Sequence, residues 1–453
     1  MKKLLSFAFT LIFSFFSIFP QELKDGIFSI GDVFLVNMIF NSSARIFLDE
    51  EYSKTTLSTM HDNLTSKWVW DEDGFFMNQF GHPYQGSLYY TAARSNGLSF
   101  WQSFFVASAG SFLWEEFGET STPSINDIIT TPICGTIVGE SLHRIYIDVN
   151  EICPALAWLF SPLDALNSSY RNIKPSVSGR LQEMDFIFHG GFNASNAEYS
   201  DKQEDIFEQK LSGGAAIFVQ YGFQDGHTTK EPFDLFTSEI DFNLSSDYYN
   251  GSFYFDGFLY SHGLYFEESE GTLGINLLYS GLKSKDAAFS DAAAGAKYIG
   301  SVDIFDSRGK LRFYSQLDGI FLGTRSIYKL AKDIKFSLKG NDKMNPSRFY
   351  NFCVGGLIKT GFTLDDKVLG TLYGEVGASF VVPYPYSQME NVESKQHLLV
   401  NLKIGYEHRI GGHFALGLKE NFIYKKDWIK NEDDTVHLMN NFQIYGKIIF
   451  ERK

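Results

Sequence analysis

The sequence predicts an α+β protein: a small N-terminal helical domain, then a C-terminal antiparallel β-barrel of about 12 strands that spans an outer membrane. Three observations predict it. The apolar period changes from about 3.6 residues to 2 near Arg180. The alternating runs beyond that point are longer than the ~5–6 residues usual for globular strands. The composition is 17% aromatic, with 45 Phe, 24 Tyr and 40 Gly against only 11 Pro, which suits strands with aromatic girdles. A mean hydropathy of −0.13 excludes a bundle of membrane helices. A net charge of −15 over 453 residues excludes nucleic acid as a partner, because phosphates demand a basic surface.

Residues 1–21 read as a secretory signal peptide, with Lys2 and Lys3 ahead of the apolar run Leu4–Phe19. Residues 22–77 are a lead-in. Asp32–Phe47 carries apolar residues at helical spacing with Asp32 as the expected N-cap, and 55–67 is a second, shorter helix. Asp71-Glu72-Asp73 reads as a solvated turn, since the spaced oxygen ligands of a calcium loop are missing. Cys134, Cys153 and Cys353 are too scattered for a disulfide framework and read as small buried hydrophobes, with a Cys134–Cys153 bridge as the alternative.

Residues 78–152 form the expected helical core domain. Pro83 suits the first turn of its first helix. The second segment, Ser99–Phe117, places Glu115 and Glu119 one turn apart on one face. In the third, Ser124 or Asn126 caps a helix with Asp127 in its first turn. Gly86, Gly135 and Gly139 allow close helix packing, and Glu140 and Arg144 are spaced for an ion pair. Residues 153–179 read as a linker or interface segment, and 180–453 as the barrel. Its clearest strand alternates Leu398, Val400, Leu402, Ile404 and Tyr406 with Asn401, Lys403, Glu407 and Arg409. A further strand is expected at 332–338.

Two readings compete for the ionisable groups of the core domain. His82, Glu115, Glu119 and Asp127 are candidate catalytic residues, because a histidine and paired carboxylates can do acid–base work. Alternatively Asn78, Arg94, Glu116, Glu140 and Arg144 form a structural polar network, with Arg94 and Arg144 neutralising the carboxylates where helices meet. No cofactor and no metal is expected. No Gly-x-Ser-x-Gly elbow, Walker loop, dinucleotide fingerprint or His-Glu-x-x-His pattern occurs, so an enzyme has no motif behind it.

The stretches WDEDGFFMNQFGHPYQGSLYYTAARSNG, FWQS…GSFLWEEFGE and PSINDIITTPICGTIVGESLHR resemble a family of uncharacterised bacterial envelope proteins, domain of unknown function 3943, over about residues 65–150. The resemblance implies an envelope location in a diderm bacterium and brings no catalytic residues. The expected function is that of an outer-membrane barrel whose helical domain plugs, gates or scaffolds it, in contact with outer-membrane lipid and with room for a periplasmic protein partner. The alternative is a membrane-embedded hydrolase of envelope lipid or lipopolysaccharide built on His82 and its neighbouring carboxylates. Geometry decides between them: whether the histidine and carboxylates converge, and whether the arginines already occupy them.

Overall fold

A computed structural model describes residues 21–171, 179–198, 208–245, 249–284, 287–326, 350–387, 394–431 and 434–451. The expected signal peptide and the expected strand at 332–338 lie outside them, apart from Gln21. Two compact units emerge. One holds the described residues up to Asp71 and from Gly81 to Arg171; the other holds Glu72–Phe80 and the strands.

The helical unit has seven α-helices among the described residues: α1 (Gln21–Ser43), α2 (Leu57–Thr65), α3 (His82–Arg94), α4 (Phe100–Leu113), α5 (Asp127–Ile152), α6 (Pro154–Phe160) and α7 (Pro162–Arg171). Local signals start several of them. Thr56 and Thr59 form a capping box on α2, and Ser99 and Gln102 form one on α4. Asp32 is not a cap. α1 begins earlier than expected, and the Asp32 carboxylate instead accepts hydrogen bonds from Asn96 and Asn167, both at 2.8 Å. The stretch Leu23–Leu48 is long and apolar enough to cross a membrane by length and composition, with a mean hydropathy of 1.4.

The described part of the expected linker at 153–179 is largely helix. Pro154 and Pro162 each open a new helix, which a proline favours at a first-turn position. α7 is pinned to its unit by Asp164 against His143 (2.8 Å), Ser168 against Tyr146 (2.8 Å) and Asn167 against Ser95 (2.8 Å). Cys134 is buried as expected; Cys153, at the α5–α6 corner, is exposed, and both are free thiols.

The second unit is a closed antiparallel barrel of twelve strands, β1 (Leu181–Glu198) to β12 (Thr435–Glu451), each paired with its neighbours in sequence and β12 paired back to β1. Strands run from 10 residues in β3 (Phe236–Ser245) to 18 in β1. Contacts between strands that are not neighbours fix which side chains point inward. Lys403 on β10 (Ser394–Gly411) meets Glu239 on β3 at 3.4 Å, and Lys419 on β11 (Phe414–Ile429) meets Asp241 on β3 at 3.5 Å. Because side chains alternate along a strand, their neighbours point outward. Those outward rows are apolar and exposed: Ile240, Phe242 and Leu244 on β3, Leu402, Ile404 and Tyr406 on β10, Leu416, Leu418 and Phe422 on β11. A half-buried carboxylate, Glu420, interrupts the β11 row.

The segment Glu72–Phe80 belongs to the barrel rather than to the helices, so Asn78 is not the first residue of the helical core. Its partners stand on the outward face near the rim opposite Leu181. Asn78 donates to the Tyr350 hydroxyl (2.7 Å), and Gln79 accepts from the Tyr279 hydroxyl through its carbonyl (2.8 Å) and from Ser290 through Oε1 (2.8 Å). Phe75 packs edge-on against Tyr350, and Phe80 against Phe253. Tyr279 and Tyr350 lie next in sequence to Leu278 and Asn351, which face inward, so both rings stand outside the wall. They are nonetheless fully buried, at 2% and 0% exposure.

Candidate functional site

Two helices of the first unit, α3 and α5, are brought together by glycine. A Cβ on Gly86 would lie 1.8 Å from the Thr131 carbonyl oxygen, so α3 and α5 touch backbone to backbone there. A Cβ on Gly135 would meet the Gly86 backbone at 2.5 Å, and one on Gly139 the Tyr90 ring at 2.9 Å. No side chain larger than hydrogen fits at Gly86 or Gly135 without moving a helix.

This approach sets up two separate polar clusters where the sequence suggested one. The first is centred on Glu140, which is fully buried. Arg94 Nε donates to its Oε2 at 2.8 Å, Arg144 Nε to its Oε1 at 2.7 Å, and the Tyr90 hydroxyl to Oε2 at 2.7 Å. Burial alone would raise the Glu140 carboxyl, but the charges of Arg94 and Arg144 outweigh it and hold the group down at about 2. Of the residues expected in a polar network, the structure brings together Arg94, Glu140 and Arg144. Asn78 belongs to the barrel, and Glu116, though only 3% exposed, leaves its Oε2 without a hydrogen-bond partner.

The second cluster is His82, Glu115 and Asp127. One ligand-capable atom from each lies within 4.8 Å of the others, and all three residues are buried. His82 Nε2 is 3.7 Å from Asp127 Oδ2. Glu119 does not join them, because α4 ends in a π turn, Trp114–Gly118, that changes the angle between successive residues. Carbonyls released by that turn are caught by asparagines: Gly118 by Asn41 (2.7 Å), and Glu115 and Glu119 by Asn63 (3.2 and 3.0 Å).

The two carboxylates are held by N–H groups. The Ser124 amide donates to Glu115 Oε2 at 2.8 Å, and Asn126 Nδ2 donates to Asp127 Oδ1 at 2.9 Å. Ser124 rather than Asn126 serves the start of α5, accepting from the Asp127 amide through its hydroxyl at 3.3 Å. Backbone pairing of Val69 with Pro123 and Ile125 fixes this corner. Asp71 faces the same site through Asp127, so Asp71-Glu72-Asp73 is not simply a solvated turn. Burial, then the charges of Asp71 and Glu115, push the Asp127 carboxyl well above its ordinary range. Burial pushes the His82 imidazole down, which leaves it neutral at physiological pH.

A third feature lies inside the barrel. Lys297 meets Asp256 (2.7 Å), Lys359 meets Glu375 (3.0 Å) and the Tyr254 ring (4.2 Å), and with the Lys403–Glu239 and Lys419–Asp241 pairs these form a belt across mid-lumen. Cavities of ≈ 380 and ≈ 730 Å³ lie on either side, both lined in part by Glu239, Tyr254, Glu375, Lys403 and Lys419. Residues 222–235 fold into the mouth on the Leu181 side. There Thr272 donates to the Gln224 carbonyl (2.7 Å), Asp225 pairs with Lys310 (2.5 Å), and Leu235 packs with Phe258 and Ile299. The alternation flagged these inward positions as polar, but no sequence signal paired them across the lumen. The His143–Asp164 pair was also not anticipated, since its members sit on different helices.

Residues 67–155 match the family described as Domain of unknown function (DUF3943). That match covers α3, α4 and α5, and so both polar clusters of the helical unit. No curated protein matches the chain in sequence. Among solved structures, an outer membrane channel from Pseudomonas putida F1 is similar at 7% identity and a TM-score of 0.31, over 61% of this chain and 98% of that one. KdgM porin is similar at 8% identity and a TM-score of 0.24, over 59% and 99%. The translocator domain of the autotransporter NalP from Neisseria meningitidis is similar at 8% and 0.26, over 63% and 95%.

Proposed function

We propose that this protein is an outer-membrane β-barrel that spans the bilayer as a closed cylinder and acts as a membrane scaffold for its helical unit. The observation that carries the reading is the contrast between the two faces of the wall. Outward rows are leucine, isoleucine and phenylalanine, whereas inward rows are lysine–carboxylate pairs that meet across the lumen. Only a closed barrel or a helix satisfies every backbone group in hydrocarbon, so a twelve-stranded closed barrel with an apolar exterior suits a bilayer. The ion-pair belt crosses the lumen and the 222–235 segment folds into one mouth, which favours a scaffold over a free diffusion pore. The helical unit also exposes apolar side chains, among them Phe34, Leu35, Trp101 and Phe105, as expected of a unit that works beside lipid.

The hydrolase alternative retains His82, Glu115 and Asp127 and loses Glu119. Burial of all three residues leaves them without the open cleft that a lipid substrate would need.

The test uses the full chain, purified in detergent and reconstituted in planar bilayers. The folded protein should migrate faster on a gel before boiling than after, and should show no steady conductance. A triple substitution of Glu239, Lys403 and Lys419 to alanine should add conductance steps. A soluble periplasmic protein without a heat-dependent mobility shift, or steady conductance by the unsubstituted chain, would overturn the proposal.

A further inference from the structure

We propose that His82, Glu115 and Asp127 bind one divalent transition-metal ion, of the zinc or manganese class, that ties α3, the end of α4 and the start of α5 together. The inference is independent of how the barrel is read.

The first argument is charge. Glu115 and Asp127 are buried with ligand-capable oxygens within 4.8 Å of each other, and Asp71 faces Asp127, so a bound cation would offset the crowding of like charge there. The second is the histidine. His82 is 6% exposed and neutral, makes no hydrogen bond among the described residues, and has Nε2 directed at Asp127 Oδ2 from 3.7 Å. A neutral buried imidazole without a hydrogen-bond partner is a poor structural element and a good metal ligand.

The third argument is the surrounding shell. Amide and carboxamide N–H groups hold one oxygen of each carboxylate, from Ser124 and Asn126, which fixes carboxylate orientation as second-sphere partners do in metal sites. One imidazole with two carboxylates is a borderline-to-hard donor set. It suits zinc or manganese and excludes the soft, thiolate-seeking ions, since neither cysteine of this unit takes part.

Untagged full-length protein, stripped with EDTA and desalted in detergent, is titrated first with Zn²⁺ alone and then with Mn²⁺ alone. One equivalent per chain should bind and raise the thermal midpoint, and X-ray absorption should show only nitrogen and oxygen donors. His82→Gln and Asp127→Asn should each weaken binding by at least about 100-fold, while Glu116→Gln, a buried carboxylate outside the triangle, should bind as the natural chain does. Near-ultraviolet circular dichroism and heat-dependent mobility report folding. Should His82→Gln fail to fold, the near-isosteric Asp127→Asn carries the comparison. Failure of the stripped natural chain to take up a stoichiometric ion overturns the proposal, and so does undiminished affinity in both variants.

Discussion

Gly135 of α5 rests on Gly86 of α3 so closely that a methyl group on either would overlap backbone of the other helix, 2.5 Å from the Gly86 carbonyl carbon in one direction and 1.8 Å from the Thr131 oxygen in the other. That approach brings α3 and α5 together, and with them Arg94 and Glu140 of the first polar cluster and His82 and Asp127 of the second. Gly135→Val should destabilise the unit by roughly 1–3 kcal/mol through overpacking, whereas Gly411→Ala, which meets nothing within 4 Å, should leave the unfolding midpoint unchanged. Thermal unfolding followed by circular dichroism compares the two.

Glu140 answers two arginines at once, so its removal strands both. Glu140→Gln should cost roughly 3–5 kcal/mol, as breaking a buried pair does. The sign of the pH effect follows from the lowered carboxyl. Glu140 sits near 2 in the folded chain against 4.5 ordinarily, so its contribution is complete above about 4.5 and vanishes as pH falls toward 2. Urea midpoints measured between pH 6 and pH 3 should drop steeply in the natural chain and only weakly in Glu140→Gln.

Asp127 has the opposite sign. Its carboxyl is raised above 3.8, so the folded state holds the proton longer than the unfolded state does, and metal-free protein should lose stability as pH rises from about 3.8 through the folded value. Asp127→Asn should flatten that loss in EDTA. A stability profile in EDTA that is identical for the two proteins would argue against the charge crowding at this site.

The contact of Gln79 with Tyr279 and Ser290 suggests a local readout. Gln79→Leu removes the acceptor for Ser290 and leaves the carbonyl bond to Tyr279, so the segment should open more often without the barrel unfolding. Limited proteolysis should cut within Glu72–Phe80 several times faster in the variant, while the heat-dependent gel shift persists.

Glu420 offers a test of the surroundings of the wall. It stands among Leu418 and Phe422 on the outward face of β11, and a carboxylate facing hydrocarbon destabilises a barrel, though less than a lysine or arginine would. In lipid, Glu420→Leu should raise stability by about 1 kcal/mol. An unchanged midpoint in liposomes would place that position away from the acyl chains.

The barrel was largely legible in the sequence because a period of 2 is a direct image of its two-sided wall: Leu402, Ile404 and Tyr406 outside, Asn401 and Lys403 inside. Lys403 could be assigned to a face but not to Glu239, since β3 and β10 meet only once the cylinder has closed. The helical unit was legible in its starts, where Thr56, Ser99 and Pro83 carry local signals. Its site was read less well. The spacing of Glu115 and Glu119 assumed an uninterrupted α-helix, which gives way to a π turn at Trp114–Gly118. Arg94 and Arg144 both meet Glu140, and that choice of Glu140 over Glu115 depends on how near glycine lets α3 approach α5. The placement of Glu72–Phe80 could not be foreseen, because its partners lie some two hundred or more residues downstream.

That placement bears on where the protein can be divided. Tyr279 and Tyr350 point out of the wall with hydroxyls bonded to Gln79 and Asn78, so a barrel expressed from Gly179 onward would lose those partners at its rim. Supplying Glu72–Phe80 as a separate peptide should restore the seal. The segment is in effect a gasket, encoded upstream of the vessel it waterproofs.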